Sequence, residues 1–272
     1  MLSIRRTAVL FLFWLLSIPA AAFAGSTLLR VIPAEGRMIA TDDLGNVYLL
    51  RQDNSLTRFS IDGDSTAFYR SLFNGVISQI DPKNPLRILL FYPDQKKIVV
   101  MDRMLALKSQ LDLRQYHSFM PGAIAATPEG NIYVYDYLDA RLFQISENGA
   151  RETLSGSNDL RQVLGFVPEI NFMTLRDRRL YLADSTRGVF VFDNYGTYLQ
   201  SLPLLGLTSF QVFGRQLVYR QGTDLVAYNL DDFREQRINL PAGNGTLIQS
   251  LLGRERLYLL YQDRLEIWRT DS

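Results

Sequence analysis

Short apolar runs recur along this chain of 272 residues, and each is followed by a second run whose apolar residues stand at alternate positions. The first runs begin at Val47, Ile88, Ile132, Leu180, Leu217 and Leu257. The second runs contain Leu56, Ile98, Leu142, Val189, Leu225 and Leu265, eight to ten residues further on. Apolar residues with a period of two are typical of β-strands, and so short a separation leaves room only for a tight hairpin. The pattern therefore predicts six β-hairpins.

Each predicted hairpin belongs to a larger repeating unit, because the first runs begin 41, 44, 48, 37 and 40 residues apart. A further apolar segment precedes each hairpin, at residues 38–41, 76–80, 123–127, 172–175, 210–213 and 248–252. A polar turn and a more polar strand follow the hairpin, as at residues 61–69. Four strands in about 42 residues are typical of a propeller blade. We therefore expect an all-β fold, a six-bladed β-propeller of four-stranded antiparallel blades; a β-sandwich or two smaller β domains are the alternative.

The sixth unit lacks a fourth strand, since its third strand at residues 266–269 is followed by only three residues. A spare strand-like stretch, residues 27–32, precedes the first unit. An unclosed blade would expose backbone groups and apolar faces. The sequence therefore predicts that the N-terminal strand closes the last blade. Outside the predicted strands, residues 104–111 and 160–164 are expected to form short turns or longer connections.

The N-terminus has the order of a secretory signal peptide: Arg5 and Arg6, an apolar run over residues 8–16, and then small residues. The sequence at residues 22–24, Ala-Phe-Ala, predicts cleavage after Ala24, giving a signal peptide at 1–24 and a propeller domain at 25–272. A membrane-spanning helix is the alternative, but the run is shorter than the roughly 20 residues needed and Pro19 interrupts it. The twin-arginine route is a second alternative. We expect a periplasmic or secreted protein of a Gram-negative bacterium.

The composition excludes several kinds of chemistry and partner. The chain has no cysteine, which excludes disulfides, thiolate catalysis and a lipidated N-terminal cysteine. After cleavage, 27 basic and 28 acidic residues would remain of the 29 and 28 in the whole chain, so no charge bias favours nucleic acid or anionic lipid. No other segment approaches the length of a transmembrane helix, so no integral membrane segment is expected after cleavage.

The third unit resembles an NHL-type propeller repeat over residues 121–136 and 141–145, and residues 43–48 of the first unit repeat part of the motif. The resemblance implies a propeller fold, which occurs in both binding scaffolds and enzymes. The chain also resembles exported propellers that are common in Gram-negative bacteria, some of which serve as envelope scaffolds. At the ends of second strands, Asp136 and Asp184 are expected to accept hydrogen bonds from turn amides.

Candidate catalytic and metal-binding groups are sparse. His117 is the only histidine, and we interpret it as a solvated or structural loop residue. Lactonases that resemble this fold hold a metal in the central channel, and the corresponding candidates here are Asp42, Asp81, Glu169 and Asn171. Trp268 is the only tryptophan outside the predicted signal peptide, which disfavours a quinone cofactor. No cofactor is expected.

Most aromatic residues stand at strand positions, where packing between blades is the simplest interpretation. The exceptions lie in two connections, and exposed apolar loop residues can form a docking surface. The candidate docking residues are Tyr116, Phe119, Met120, Leu164, Phe166 and Val167. The leading hypothesis is a non-enzymatic exported scaffold that binds a protein partner in the cell envelope. The alternatives are a divalent-metal hydrolase or lactonase-like enzyme with its site in the channel, and a glycan-binding module.

Overall fold

The computed structural model describes residues 26–71, 74–156 and 159–270. Within these ranges the chain forms six separate four-stranded antiparallel sheets, arranged as the six blades of a β-propeller. This confirms the predicted fold class. The predicted signal peptide, residues 1–24, lies outside the described residues. In the part of the chain that is described, no helix has the length and apolar character needed to cross a membrane.

The blades follow one another along the chain, and each begins with its innermost strand. Blade 1 comprises β2 (Gly36–Thr41), β3 (Val47–Arg51), β4 (Leu56–Phe59) and β5 (Ser65–Tyr69). Blade 2 comprises β6 (Gln79–Asp81), β7 (Ile88–Tyr92), β8 (Lys97–Met101) and β9 (Leu107–Asp112). Blade 3 comprises β10 (Pro121–Ala126), β11 (Ile132–Asp136), β12 (Arg141–Ile145) and β13 (Arg151–Thr153).

Blades 4 and 5 repeat this order, and blade 6 takes its outer strand from the N-terminal end of the described chain. Blade 4 comprises β14 (Ile170–Arg176), β15 (Arg179–Asp184), β16 (Gly188–Asp193) and β17 (Tyr198–Leu202). Blade 5 comprises β18 (Gln211–Phe213), β19 (Gln216–Gln221), β20 (Asp224–Asn229) and β21 (Glu235–Asn239). Blade 6 comprises β22 (Leu247–Gly253), β23 (Arg256–Tyr261), β24 (Arg264–Arg269) and β1 (Thr27–Pro33).

The core lies between the blades. Six apolar clusters are each built by two neighbouring blades: 1 with 2, 2 with 3, and so on to 6 with 1. The second strand of each blade is packed on both faces, and all five residues of β7 are buried. The strand aromatics predicted to pack between blades are buried, namely Tyr48, Phe91, Tyr133, Tyr181, Phe190, Phe192 and Tyr258. The ring is therefore held by burial of apolar faces between adjacent sheets.

The ring closes as the sequence predicts. Strand β1 pairs antiparallel with β24, from Thr27 opposite Arg269 to Pro33 opposite Arg264, with one irregularity between Leu28 and Arg30. On its inner side, Ile32 packs against the cluster between blades 6 and 1. The first and last described strands thus share one sheet.

Two expectations about the connections had different outcomes. Residues 160–164 form a short helix, α1 (Leu160–Leu164), because Asp159 caps its first turn and Gly165 ends it with a φ of 81°. By contrast, the interpretation of residues 104–111 as a connection was wrong beyond Ala106, because Leu107–Asp112 is the outer strand of blade 2. The segment was missed because its side chains are mostly exposed, so it lacks the alternation of a half-buried strand. A 3₁₀ turn (Leu113–Tyr116) follows it.

The closing strand offers a matched pair of neighbouring residues that face opposite ways. Replacing half-buried Ile32 by alanine should lower the free energy of unfolding by about 1–2 kcal/mol, since it removes part of the cluster that joins blades 6 and 1. The control is Val31→Ala, whose side chain is 43% exposed, with an expected loss below about 0.5 kcal/mol. Urea denaturation measures both; equal losses would contradict closure by packing.

Candidate functional site

The central channel is lined by the six innermost strands, which run parallel to one another. Gln79 of blade 2 is hydrogen-bonded to Ile124 of blade 3, and Asp81 is hydrogen-bonded to Ala126. Because both partners advance by two residues, the two strands run in the same direction. We call the end where these strands begin the upper face and the end where they finish the lower face. Connections between blades lie at the upper face, and the turn after each innermost strand lies at the lower face.

Glutamine side chains on the channel wall join neighbouring blades. The Nε2 of Gln79 donates to the carbonyl oxygen of Ile124 at 2.7 Å and to that of Met173, two blades away, at 2.9 Å. The Oε1 of the same side chain accepts from the Ile124 amide at 3.3 Å. One buried side chain therefore connects blades 2, 3 and 4 across the channel wall.

Two more glutamines act in the same way on the other side of the ring. Gln211 of blade 5 accepts from the Leu252 amide at 2.8 Å and donates to the Leu252 carbonyl at 2.7 Å. Gln249 of blade 6 accepts from the Ile39 amide of blade 1 at 2.8 Å. None of the three glutamines was predicted from the sequence. The sequence signal for them is weak: each is an amide side chain in an innermost strand that also contains apolar residues.

The lower end of the channel is bridged by an ion pair between opposite blades. Arg176 of blade 4 lies 3.3 Å from the carboxylate of Asp43 of blade 1. Because blades 1 and 4 face each other across the ring, these two side chains span the opening. The lower end of the channel is therefore crossed by two polar side chains that are already paired with each other.

The four candidate metal ligands do not meet. Asp42 accepts from the amides of Leu44 and Asn46 and from the Tyr48 hydroxyl, so it holds the lower turn of blade 1. Asp81 accepts from the Ala126 amide at 2.9 Å and the Lys83 ammonium at 3.3 Å.

The other two candidates lie at the opposite end of the channel. The hydrogen bond from Gln79 to Met173 shows that these two residues lie at the same height in the channel. Asp81 lies two residues below that height and Asn171 two residues above it, so the two are about 13 Å apart along the strands at roughly 3.3 Å per residue. Glu169 lies further up still. Calcium ligands stand about 2.3–2.6 Å from the ion. Among residues 26–71, 74–156 and 159–270 there is no group of three or more histidine or acidic residues that could hold a metal.

His117 lies at the end of the 3₁₀ turn beside the outer strand of blade 2. It has a left-handed backbone with a φ of 56°, and its amide donates to the Arg114 carbonyl at 3.0 Å. Its side chain is exposed. The two aspartates at the ends of second strands act as predicted: Asp136 accepts from the Leu138 amide at 2.8 Å and Asp184 from the Thr186 amide at 2.9 Å.

The candidate docking residues all lie in upper connections, but they divide into two kinds. Tyr116, Leu164 and Phe166 are half-buried and pack against the clusters beneath them. Phe166 lies 5.8 Å from Phe190 and carries the Arg187 guanidinium 4.0 Å above its ring. The remaining three residues, Phe119, Met120 and Val167, are exposed.

The structure brings the two predicted connections together through the turn between β11 and β12, which was not predicted to belong to this surface. The Tyr137 amide donates to the Met120 carbonyl at 2.9 Å, and the Tyr137 hydroxyl donates to the Ile170 carbonyl. The Leu160 amide donates to the Ala140 carbonyl at 2.8 Å, which ties α1 to the same turn. The five exposed apolar residues around it are 40–57% exposed. We call them the upper strip: Phe119, Met120, Leu138, Val163 and Val167.

The lower face has a polar cleft of about 660 Å³ between blades 3 and 4. Its walls come from lower turns of four blades, with Asp43, Lys83, Glu129 and Asp177 as one residue from each of blades 1 to 4. Its floor includes Tyr133, whose hydroxyl donates to the Asn194 carbonyl at 2.6 Å. We call this space the lower cleft.

Removing the glutamine bridge should destabilise the ring. Gln79→Met keeps the size of the side chain but leaves the Ile124 amide and the Ile124 and Met173 carbonyls without their partner, so we expect a loss of about 2–4 kcal/mol. The control is Gln115→Met on an exposed upper connection, with a change below about 0.5 kcal/mol. Urea denaturation followed by circular dichroism measures both variants. Equal stability of Gln79→Met and the unchanged protein would refute the bridge.

Buried tyrosines should make the fold sensitive to high pH. Burial, with Glu129 as the next cause, raises the pKa of Tyr133 from 10.0 to about 12. Burial, followed by Glu169, raises that of Tyr137 to about 12. The folded state keeps these protons to a higher pH than the unfolded state does. The stabilisation that the two tyrosines contribute is therefore fully present below pH 10 and is lost as the pH rises towards 12.

The free energy of unfolding, measured in urea at a series of pH values, should therefore decline from about pH 10 upward. Tyr133→Phe should show a shallower decline than the unchanged protein, because one of the shifted groups is gone. A free energy that stays constant through this range would contradict the burial of these hydroxyls.

Comparison with known proteins shows the fold and no family. No protein-family model matches the chain, and no curated protein sequence matches it. Virginiamycin B lyase from Staphylococcus aureus has a TM-score of 0.63 at 12% identity, covering 90% of this chain and 99% of that one. BamB from Moraxella catarrhalis has a TM-score of 0.50 at 14% identity, covering 91% and 99%. A nidogen/laminin complex has a TM-score of 0.57 at 18% identity, covering 77% and 80%. This chain therefore shares the β-propeller fold with proteins of several kinds.

Proposed function

We propose that this protein is an exported, NHL-like, non-enzymatic propeller scaffold that binds a protein partner in the cell envelope through the upper strip. The observation that carries the proposal is the strip itself, five exposed apolar residues on two upper connections and the turn that hydrogen bonds join to them. Export rests on the order of residues 1–24, which is that of a signal peptide. We place the protein in the periplasm or outside the cell of a Gram-negative bacterium.

The upper strip has the composition of a protein-binding surface. Its centre combines aromatic, thioether and aliphatic side chains, and its rim carries the ion pairs Asp112–Arg114 and Asp159–Arg161. An apolar centre inside a polar rim is the common arrangement of protein interfaces, in which aromatic residues and methionine are enriched. The nidogen/laminin complex provides a case in which a protein of this fold was solved together with another protein.

The strip is also held rigidly, which lowers the entropy lost on binding. Buried Asp136 accepts from the Ser118 hydroxyl at 2.6 Å and the Met120 amide at 2.9 Å. Tyr135 beneath it donates to the Pro168 carbonyl at 2.7 Å. The two connections and the turn between them therefore form one surface.

An enzymatic function is less well supported. A histidine-to-alanine variant of virginiamycin B lyase, solved with quinupristin, is catalytically inactive. In this chain, the single histidine has its backbone in a turn beside an outer strand and its side chain exposed. The channel of the described ring holds glutamines bonded to backbone groups, and the candidate metal ligands lie at its two ends. The positions of this histidine and of the candidate metal ligands therefore support a scaffold better than a hydrolase or lactonase-like enzyme.

Photo-crosslinking in the native host tests the docking surface. A benzoylphenylalanine in place of Leu138, which is 57% exposed on the upper strip, should give one discrete protein adduct. The matched control is the same substitution at Leu86, which is 61% exposed at the lower face. We expect no adduct from Leu86, because it lies on the opposite face of the ring from the upper strip.

A second variant separates binding from folding. Met120→Ser combined with Val167→Ser should reduce the Leu138 adduct at least fivefold and leave the melting temperature unchanged, since both side chains are exposed. The same adduct from both positions, or an adduct that survives the double substitution, would overturn the assignment of this surface. So would the absence of any adduct from Leu138.

A further inference from the structure

The lower cleft is one part of a longer polar trough. A second depression of about 400 Å³ lies over the outer turn of blade 3, lined by Glu129, Asn131, Ser146, Glu147 and Asn148. Because Glu129 and Asn131 also line the lower cleft, the two spaces adjoin. The trough thus extends from the channel mouth to the outer edge of blade 3, and the cleft alone has the volume of a ligand site, roughly 300–1,000 Å³.

Many side chains in the trough have polar groups that the described protein does not use. Lys83 and Arg176 are paired with Asp81 and Asp43, and Asn131 accepts from the Glu147 amide. The charged and amide side chains that line the cleft without a hydrogen bond or ion pair to described residues are Glu129, Gln144, Glu152, Asp177, Arg178 and Asn194. These groups are planar amides, carboxylates and one guanidinium, each able to make two or more hydrogen bonds.

The charge of these free groups restricts the ligand. The free groups include three carboxylates, those of Glu129, Glu152 and Asp177, but only one guanidinium, that of Arg178. An anionic ligand would meet more repulsion than attraction, whereas a neutral polyol can donate its hydroxyls to the carboxylates and accept from the amides. A neutral or amino-bearing ligand rich in hydroxyl groups fits this set.

An exposed aromatic ring lies at the edge of the cleft. Tyr195 is 57% exposed, and its turn is fixed, because its amide donates to Asp193 at 2.9 Å and its carbonyl accepts from the Gly156 amide at 2.9 Å. The ring is not part of any of the six apolar clusters. An exposed tyrosine on a fixed turn offers a flat apolar face with a polar tip, which suits the C–H face of a sugar ring.

From the trough, its unused planar polar groups and the exposed ring, we propose that the lower face binds a short neutral or amino-sugar oligosaccharide. Tyr195 stacks on one sugar ring in the cleft, and Gln144 and Glu129 bond to its hydroxyls. The remaining sugars extend over blade 3 towards Asn148. This site lies on the face opposite the upper strip and does not depend on the proposed docking function.

The test begins with purified protein on an array of neutral, amino-bearing and acidic oligosaccharides, followed by calorimetry with the tightest binder. We expect a neutral or amino-bearing oligosaccharide to bind and acidic ones to bind more weakly. Tyr195→Ala and Gln144→Ala should each weaken binding at least tenfold. Both residues are at the surface of the ring, so their melting temperatures should match that of the unchanged protein.

Matched controls lie away from the trough. Phe68→Ala removes another exposed aromatic ring, 59% exposed on the outer strand of blade 1, and Gln115→Ala removes an exposed amide on an upper connection. Each should change the affinity less than twofold. The proposal is overturned if no oligosaccharide binds, if only acidic ones bind, or if the trough variants and the controls weaken binding equally.

Discussion

The innermost strand of each blade has no ladder partner on its channel side, and the fold depends on how those backbone groups are satisfied. Buried amide and carbonyl groups that lack a partner cost about 1–3 kcal/mol each. In this ring, side chains take the place of the missing strand: Gln79, Gln211 and Gln249 bond to the backbone of the next blade, and Asp81 bonds to the Ala126 amide. The blades are thus joined at the channel by hydrogen bonds and further out by apolar packing.

This solution has a consequence for function. A channel wall built from engaged glutamines, with an ion pair between Arg176 and Asp43 across its lower end, has few polar groups left to bind a ligand. The available chemistry lies on the two faces. The upper face presents apolar side chains on connections between blades, and the lower face presents unpaired polar side chains on turns. The two proposals therefore use the two faces separately.

The sequence predicted the parts of the fold that depend on local pattern. The six hairpins follow from alternation with a period of two, and closure by residues 27–32 follows from one missing and one spare strand. The outer strand Leu107–Asp112 was missed because exposed side chains carry no such alternation.

The surfaces were harder to predict, because they are assembled from residues far apart in sequence. Phe119 and Val167 could be recognised as loop residues, but the bridging turn with Leu138 depends on a contact between Tyr137 and Met120. The lower cleft combines Asp43, Lys83, Glu129 and Asp177 from four blades. The position of Gln79 in the sequence gives no sign of which backbone groups its side chain will meet.

Hydrogen exchange at the channel tests this account most directly. The amides of Ile39, Ile124, Ala126 and Leu252 donate to side chains of the neighbouring blade, not to a strand. We expect them to be protected as strongly as the amides of the central strand β11 and to exchange only with global unfolding. Exchange of these four amides as fast as that of exposed turn amides would show that the side chains do not join the blades.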